Sequence, residues 1–112
     1  MENLLLLSLS MLMGLLFIGL AIPHIKEKIP PNKWCGFRTK KTLSNEEIWY
    51  KANKYMGREL FKAGLVMIVM TILLFIFKNR LPIDVGRIVF FMIITVPVII
   101  AFIKCMFYLK KL

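Results

Sequence analysis

The segment between residues 32 and 44 carries the side chains best suited to binding chemistry. It places Gly36, Arg38 and several hydroxyl groups directly before a stretch that should begin a helix. The first N–H groups of a helix attract anions, and a guanidinium group can donate two parallel hydrogen bonds to a phosphate or carboxylate. An anion site at Arg38 is therefore one interpretation. The other is that Arg38 touches the phosphates of bulk lipid, while Ser44 merely caps the helix.

The helix start is indicated by Ser44 and Glu47, which have the spacing of a capping box. In that motif the N-cap hydroxyl accepts a hydrogen bond from a backbone N–H one turn later, and the glutamate side chain reaches back to the N-cap. We therefore expect Ser44 to be the N-cap.

Groups suited to catalysis or metal binding are sparse. His24 is the single histidine, and its place beside Pro23 at the end of a span predicts an interfacial polar residue. The two cysteines are Cys35 and Cys105. One imidazole and two separated thiols make no recognisable zinc ligand set, and no carboxylate is spaced to orient a Cys35–His24 nucleophile pair. We expect no catalytic residue, no metal and no cofactor. A membrane enzyme acting on a lipid phosphate is retained as an alternative.

Three uncharged, strongly apolar stretches dominate the chain and predict transmembrane helices at about residues 3–22, 62–78 and 86–108. About 20 apolar residues in a helix cross the bilayer core. With 59% hydrophobic residues in 112, a soluble protein would lack enough polar surface. The first stretch has no basic start and no small-residue cleavage site, so we expect a retained helix, which should stop at Pro23. The predicted fold is an all-α integral membrane protein forming a single domain, residues 1–112.

The distribution of basic residues predicts the orientation. The uncharged apolar stretches themselves are Leu4–Ile22, Ala63–Phe77 and Ile88–Ile103. Of the 16 Lys and Arg residues, ten lie between the first two stretches, three between the second and third, and three after the third. By the positive-inside rule, the N-terminus lies outside and the C-terminus inside. Both cysteines then lie in the reducing cytoplasm, so we expect no structural disulfide. The net charge is +10, but the sequence has no nucleic-acid recognition motif. We therefore expect the basic residues to face anionic lipid, and we expect no direct binding of nucleic acid.

Residues 45–62 are amphipathic at helical spacing. One face is apolar and comprises Ile48, Trp49, Ala52, Tyr55, Met56 and Leu60. The other face carries a basic stripe, which comprises Lys51, Lys54, Arg58 and Lys62. This pattern is typical of a helix in the membrane interface, with its aromatic rings at headgroup level, and we expect it to lead into the second span. The alternative is a solvated helix that extends the second span into the cytoplasm.

Small residues form a stripe on each of the first two spans and predict that these spans pack closely together. The stripes are Ser10, Gly14 and Ala21 on the first helix, and Gly57, Gly64 and Thr71 on the second.

The loop and the start of the following helix carry a dense motif: Pro31, Asn32, Trp34, Gly36, Phe37, Arg38, Thr39, Thr42, Leu43 and Ser44, then Glu47, Trp49, Asn53 and Gly57. This motif resembles that of the SdpI immunity-protein family, which comprises small bacterial membrane proteins. In that family, too, the motif lies between two membrane helices. The founder of the family protects its producer against a secreted, membrane-active toxin peptide. It also holds a transcriptional repressor at the membrane.

The resemblance implies a non-catalytic immunity protein of the bacterial plasma membrane, with a role in toxin immunity or signalling. Its partners would be anionic lipid headgroups, a hydrophobic toxin peptide and a cytoplasmic repressor. The sequence is also compatible with a homo-oligomer. The alternative is an interfacial lipid- or anion-binding regulator that captures a cytoplasmic partner through its basic stripe. The candidate partner-binding residues are Asn32, Trp34, Gly36, Phe37, Arg38, Thr39, Thr42, Ser44, Trp49 and Asn53.

Overall fold

A computed structural model describes residues 2–32, 34 and 36–112, with side chains from residue 4 onward. Its elements are α1 (Glu2–Ile25), α2 (Lys40–Ser44), α3 (Glu46–Phe77), a 3₁₀ turn (Lys78–Arg80) and α4 (Ile83–Lys110). Within the described residues every regular element is helical, and α1, α3 and α4 are each long and apolar enough to cross a membrane. The predicted all-α class with three membrane-spanning helices is confirmed.

Helices α1 and α3 pack antiparallel along the two small-residue stripes, as expected. The hydroxyl oxygens of Ser10 and Thr71 lie 2.8 Å apart. A buried hydrogen bond between these hydroxyl groups therefore joins α1 to α3 at one end of their contact. In the middle, a Cβ atom added to Gly64 would lie 2.7 Å from the carbonyl oxygen of Gly14. The two backbones are in direct contact there, because neither position has a side chain.

Gly14→Ala is expected to destabilise the protein, whereas Gly19→Ala is not. A Cβ at Gly14 would lie 2.9 Å from the Gly64 carbonyl oxygen and 2.8 Å from Cγ1 of Ile68, whereas a Cβ at Gly19 would meet nothing within 4 Å. Overpacking against backbone costs about 1–3 kcal/mol, and alanine in an open helical position gains up to about 1 kcal/mol over glycine. Thermal unfolding in detergent measures both variants. Equal midpoints for the two would contradict the close α1–α3 contact.

The expected end of the first helix at Pro23 was wrong, because α1 continues to Ile25. A proline removes only its own N–H from the ladder and commonly bends a helix without ending it. Lys26 N–H still donates to the Ile22 carbonyl at 3.0 Å. The helix then ends in a Schellman cap, in which Glu27 has a φ of +56°, Glu27 N–H donates to the His24 carbonyl at 3.1 Å and Lys28 N–H donates to the Pro23 carbonyl at 2.9 Å.

The expected cap at Ser44 was also wrong. The N-cap of α3 is Asn45, whose side-chain oxygen accepts hydrogen bonds from Glu47 N–H at 2.8 Å and Ile48 N–H at 3.4 Å. Ser44 is instead the last residue of α2, and its hydroxyl donates to the Lys41 carbonyl at 2.6 Å. Asparagine and serine are about equally good caps, so helical preference alone does not choose between these neighbours.

Residues 45–62 belong to the first half of the continuous helix α3, which is about 48 Å long at 1.5 Å per residue. The side chain of Trp49 is 0% exposed and Ala52 is buried, so protein covers part of the apolar face. The expectation that the Trp49 ring lies among lipid headgroups was therefore wrong. Lys51 and Arg58 are exposed on the opposite face. A position for this segment along the membrane surface stays a prediction.

Helix α4 runs antiparallel to α3 on a different face from α1. The rings of Tyr55 and Tyr108 stack at 4.1 Å between centroids. One turn further along, the buried carboxylate of Glu59 lies 3.6 Å from Lys104 Nζ and 3.5 Å from Lys62 Nζ. A buried acidic group needs such partners, and together these contacts fix α4 against α3 at the end nearest the motif.

Candidate functional site

Gly36 lies where the loop contacts the ends of α1 and α3. Its φ angle is +107°, a conformation that favours glycine. A Cβ atom built there would lie 2.6 Å from Asn53 Oδ1, 2.9 Å from His24 Cε1 and 3.3 Å from Trp49 Cη2. Position 36 therefore requires glycine for two separate reasons, backbone conformation and space.

Asn53 attaches the loop to α3. Its side chain is 2% exposed, and its Oδ1 accepts a hydrogen bond from Phe37 N–H at 2.6 Å. Its Nδ2 donates to the Phe37 carbonyl at 3.4 Å and to the Trp49 carbonyl at 2.9 Å. One amide group thus pairs with both backbone groups of Phe37, as a neighbouring β-strand would.

Trp49 lies one turn before Asn53 and therefore on the same face of α3. Its indole N–H donates to the Ile29 carbonyl at 3.0 Å. This hydrogen bond attaches the beginning of the loop to α3. The ring is fully buried, and its edge packs against Gly36.

A pair of threonines caps the N-terminus of the short helix α2. Thr39 N–H donates to Thr42 Oγ1 at 2.7 Å, and Thr42 N–H donates to Thr39 Oγ1 at 3.1 Å. The capping box expected at Ser44 is therefore found one helix earlier, with threonine on both sides. From α2, Lys41 Nζ donates to the Leu109 carbonyl at 2.8 Å, and a cation there is favourable because the last carbonyls of a helix carry partial negative charge. The loop is thereby joined to the end of α4.

The start of the motif forms a local turn. The Asn32 side chain accepts from Trp34 N–H at 2.8 Å and donates to the Pro30 carbonyl at 2.8 Å. The Trp34 side chain is 89% exposed, so it extends away from the packed part of the loop. Cys35 lies outside the described residues, so two expectations stay predictions: that Cys35 and His24 form no nucleophile pair and that the chain has no structural disulfide.

The structure brings together six of the ten sequence-predicted residues, which we call the loop core. Gly36, Phe37, Trp49 and Asn53 are joined by packing and hydrogen bonds, and Thr39 and Thr42, which follow in the loop, are hydrogen-bonded to each other. Asn32, Trp34, Arg38 and Ser44 lie around it. Sequence reasoning missed two members of the site. His24, expected to be an interfacial polar residue, is buried against Gly36, and Lys41 reaches α4. No local pattern indicated either contact.

Arg38 is exposed and lies beside a cavity of about 500 Å³ between the loop, α3 and α4. The helix N-terminus expected at Ser44 lies elsewhere, because Ser44 ends α2 and Asn45 caps α3. The Thr42 N–H at the start of α2 donates to Thr39, and the Glu47 and Ile48 N–H groups at the start of α3 donate to Asn45. Anion binding by Arg38 stays a prediction.

The structure shows packing and hydrogen bonds at the site. Among the described residues, no three His, Cys, Asp or Glu side chains are grouped so that they could hold a metal ion. Hydrogen bonds join the loop to the start of α3 through Asn53 and to the end of α4 through Lys41, and Gly36 packs against His24 near the end of α1. The loop core and Lys41 together contact all three membrane helices.

A comparison with protein-family models matches the SdpI/YfhL protein family over residues 28–108, which include the loop, α2, α3 and nearly all of α4. No curated protein and no solved structure matches the chain. The match covers most of the chain and includes the hydrogen-bonded loop core. The chain therefore belongs to the SdpI/YfhL protein family.

Proposed function

We propose that the protein is a non-catalytic membrane immunity protein that confers resistance to a hydrophobic, membrane-active toxin peptide. The observation that carries this proposal is the family match over residues 28–108, because immunity is the role of the family's founder. Three helices suited to crossing a membrane are consistent with a protein that meets such a toxin in the bilayer.

In the proposed mechanism, the membrane helices bind the toxin peptide within the bilayer and keep it from acting. The loop core sets the arrangement of those helices. This role is supported by contacts from the loop to each span: Gly36 packs on His24 of α1, Phe37 pairs with Asn53 of α3, and Lys41 bonds to Leu109 of α4. A change in the loop would therefore alter the surfaces that the helices present to a peptide.

The proposed location is the bacterial plasma membrane, with the N-terminus outside and the loop core and C-terminus in the cytoplasm. The excess of Lys and Arg around the loop and after α4 supports this orientation.

A cysteine placed at Asn79 is expected to react with a membrane-impermeant thiol reagent on intact cells, and a cysteine placed at Lys41 is not. Both substitutions are made in a chain without Cys35 and Cys105. Asn79 lies in the turn between α3 and α4, and Lys41 lies in α2 at the opposite ends of the spans. Labelling of position 41 alone would show that the protein has the opposite orientation in the membrane. Permeabilised cells, in which both positions should react, provide the control.

The functional test is survival of a sensitive bacterial host challenged with the toxin peptide against which the family's founder protects. Cells that produce the protein should survive, and the tolerated toxin dose should rise in proportion to the amount of protein in the membrane. A binder is consumed in proportion to the toxin, whereas an enzyme turns over many molecules. Toxin recovered intact from protected cells supports the proposal. Cleaved or modified toxin, or no protection at any expression level, would refute it.

A second candidate function is the capture of a cytoplasmic repressor by the basic face of α3. The exposure of Lys51, Arg58 and Lys62 on that face favours it. Replacing Lys51 and Arg58 together with glutamine would abolish repressor recruitment and leave toxin protection intact if the two functions are separate. Lys62 is kept in this variant because it pairs with the buried Glu59.

A further inference from the structure

The cavity beside Arg38 has the size and shape of a ligand site. Its volume is about 500 Å³, within the roughly 300–1,000 Å³ typical of small-molecule sites in proteins. The loop forms one wall through Phe37 and Arg38, α3 contributes Leu60, and α4 contributes Val98 and Phe102. The cavity is a partly open cleft between segments that the loop core and Lys41 hold together.

The residues that line the cavity are mainly apolar, and one of them is charged. Arg38 is the only ionised side chain among the residues that line the cavity. A guanidinium group matches the oxygens of a phosphate through two parallel hydrogen bonds, and the apolar walls match hydrocarbon. A ligand that complements both features carries a phosphate at one end and an acyl chain at the other.

The depth of the cavity also fits a lipid. Lys41 bonds to the Leu109 carbonyl, which places the loop near the C-terminal end of α4. From there the cavity extends along α4 to Val98, and the stretch from Met106 to Val98 spans about 12 Å of helix. The Phe102 side chain is 63% exposed on the outside of α4, so the cavity adjoins the surface that faces the bilayer.

We propose that this cavity binds one anionic phospholipid, with the phosphate on Arg38 and part of an acyl chain between the loop, α3 and α4. The lipid would bridge the motif loop to α4 at a place where protein contacts leave a gap. This site is independent of the immunity proposal, because lipid binding can be measured on the purified protein without any toxin.

The test uses the full-length protein purified in a mild detergent and native mass spectrometry with added phosphatidylglycerol. The wild-type protein should hold one lipid molecule, and Arg38→Gln should weaken binding at least about tenfold, as expected when a hydrogen-bonded charge is lost. Arg38→Lys should recover only part of the affinity, since an ammonium group lacks the planar fork. The matched control is Arg58→Gln, which removes the same charge from an exposed position on α3 outside the cavity.

A second pair of variants tests the acyl-chain end. Val98→Phe fills the deep part of the cavity and should reduce binding, whereas Ile99→Phe, on the neighbouring exposed face of α4, should not. Equal binding by Arg38→Gln and Arg58→Gln would overturn the proposal. So would equal affinity for phosphatidylcholine, displacement of the lipid by inorganic phosphate alone, or a bound peptide in place of lipid.

Discussion

Gly36→Val is expected to lower the stability of the protein by about 3 kcal/mol and to abolish protection against toxin. Valine at a φ of +107° is strained, because left-handed backbone costs roughly 1–2 kcal/mol for a residue with a Cβ atom. Its Cβ would also lie 2.6 Å from Asn53 Oδ1 and 2.9 Å from His24 Cε1, and overpacking adds about 1–3 kcal/mol. Thermal unfolding of the purified protein in detergent measures the loss.

The matched control for this substitution is Gly19→Val, at a glycine of α1 where an added Cβ meets nothing within 4 Å. This variant should unfold close to the wild-type midpoint. Gly36→Ala should fall between the wild type and Gly36→Val, since it keeps the clash and the unfavourable φ but lacks the branched side chain. A wild-type midpoint for Gly36→Val would show that the loop does not adopt this conformation.

Asn53→Leu is expected to release the loop from α3 while leaving the membrane helices folded. Leucine has the same branching and the same number of side-chain heavy atoms, but it loses the hydrogen bonds to Phe37 N–H at 2.6 Å, to the Phe37 carbonyl at 3.4 Å and to the Trp49 carbonyl at 2.9 Å. Leaving partly buried backbone groups without partners costs about 1–3 kcal/mol. Hydrogen exchange of the Phe37 amide should therefore speed up by roughly a hundredfold if this local opening governs exchange.

The control for Asn53 is Asn79→Leu, which changes an exposed asparagine at the far end of the spans. It should not alter exchange at Phe37. If the Phe37 amide exchanges at the wild-type rate in Asn53→Leu, another group must hold the loop, and the assigned role of Asn53 would be wrong.

The membrane architecture could be predicted from the sequence because each span has a strong local signal. Long apolar stretches indicated the helices that the structure contains, and the small residues on two of them indicated their contact. Ser10 indeed meets Thr71, and Gly14 indeed meets Gly64. Both signals depend on residue type and spacing within a helix, and no knowledge of the remaining fold is needed.

Helix ends were predicted less well because adjacent residues compete. Ser44 and Asn45 are both good caps, and the choice depends on how α2 turns into α3. Pro23 was a reasonable helix stop, but the helix continues to Ile25 because the following backbone groups still find partners within the same helix.

The candidate site was located by its resemblance to a family, and only the structure explains its residues. Asn53 pairs with the backbone of Phe37, and Gly36 fits against His24, across separations that no local pattern reports. The link from Lys41 to Leu109 joins residues that are 68 positions apart in the sequence. Such contacts arise from how the three helices pack together.

The most direct test of the central claim is host survival under toxin challenge for the wild type, Gly36→Val and Gly19→Val, compared at matched abundance in the membrane. The account predicts protection by the wild type and by Gly19→Val, and none by Gly36→Val, because only position 36 lies in the loop core that arranges the spans. Full protection by Gly36→Val at wild-type abundance, or failure of the wild type to protect, would contradict it.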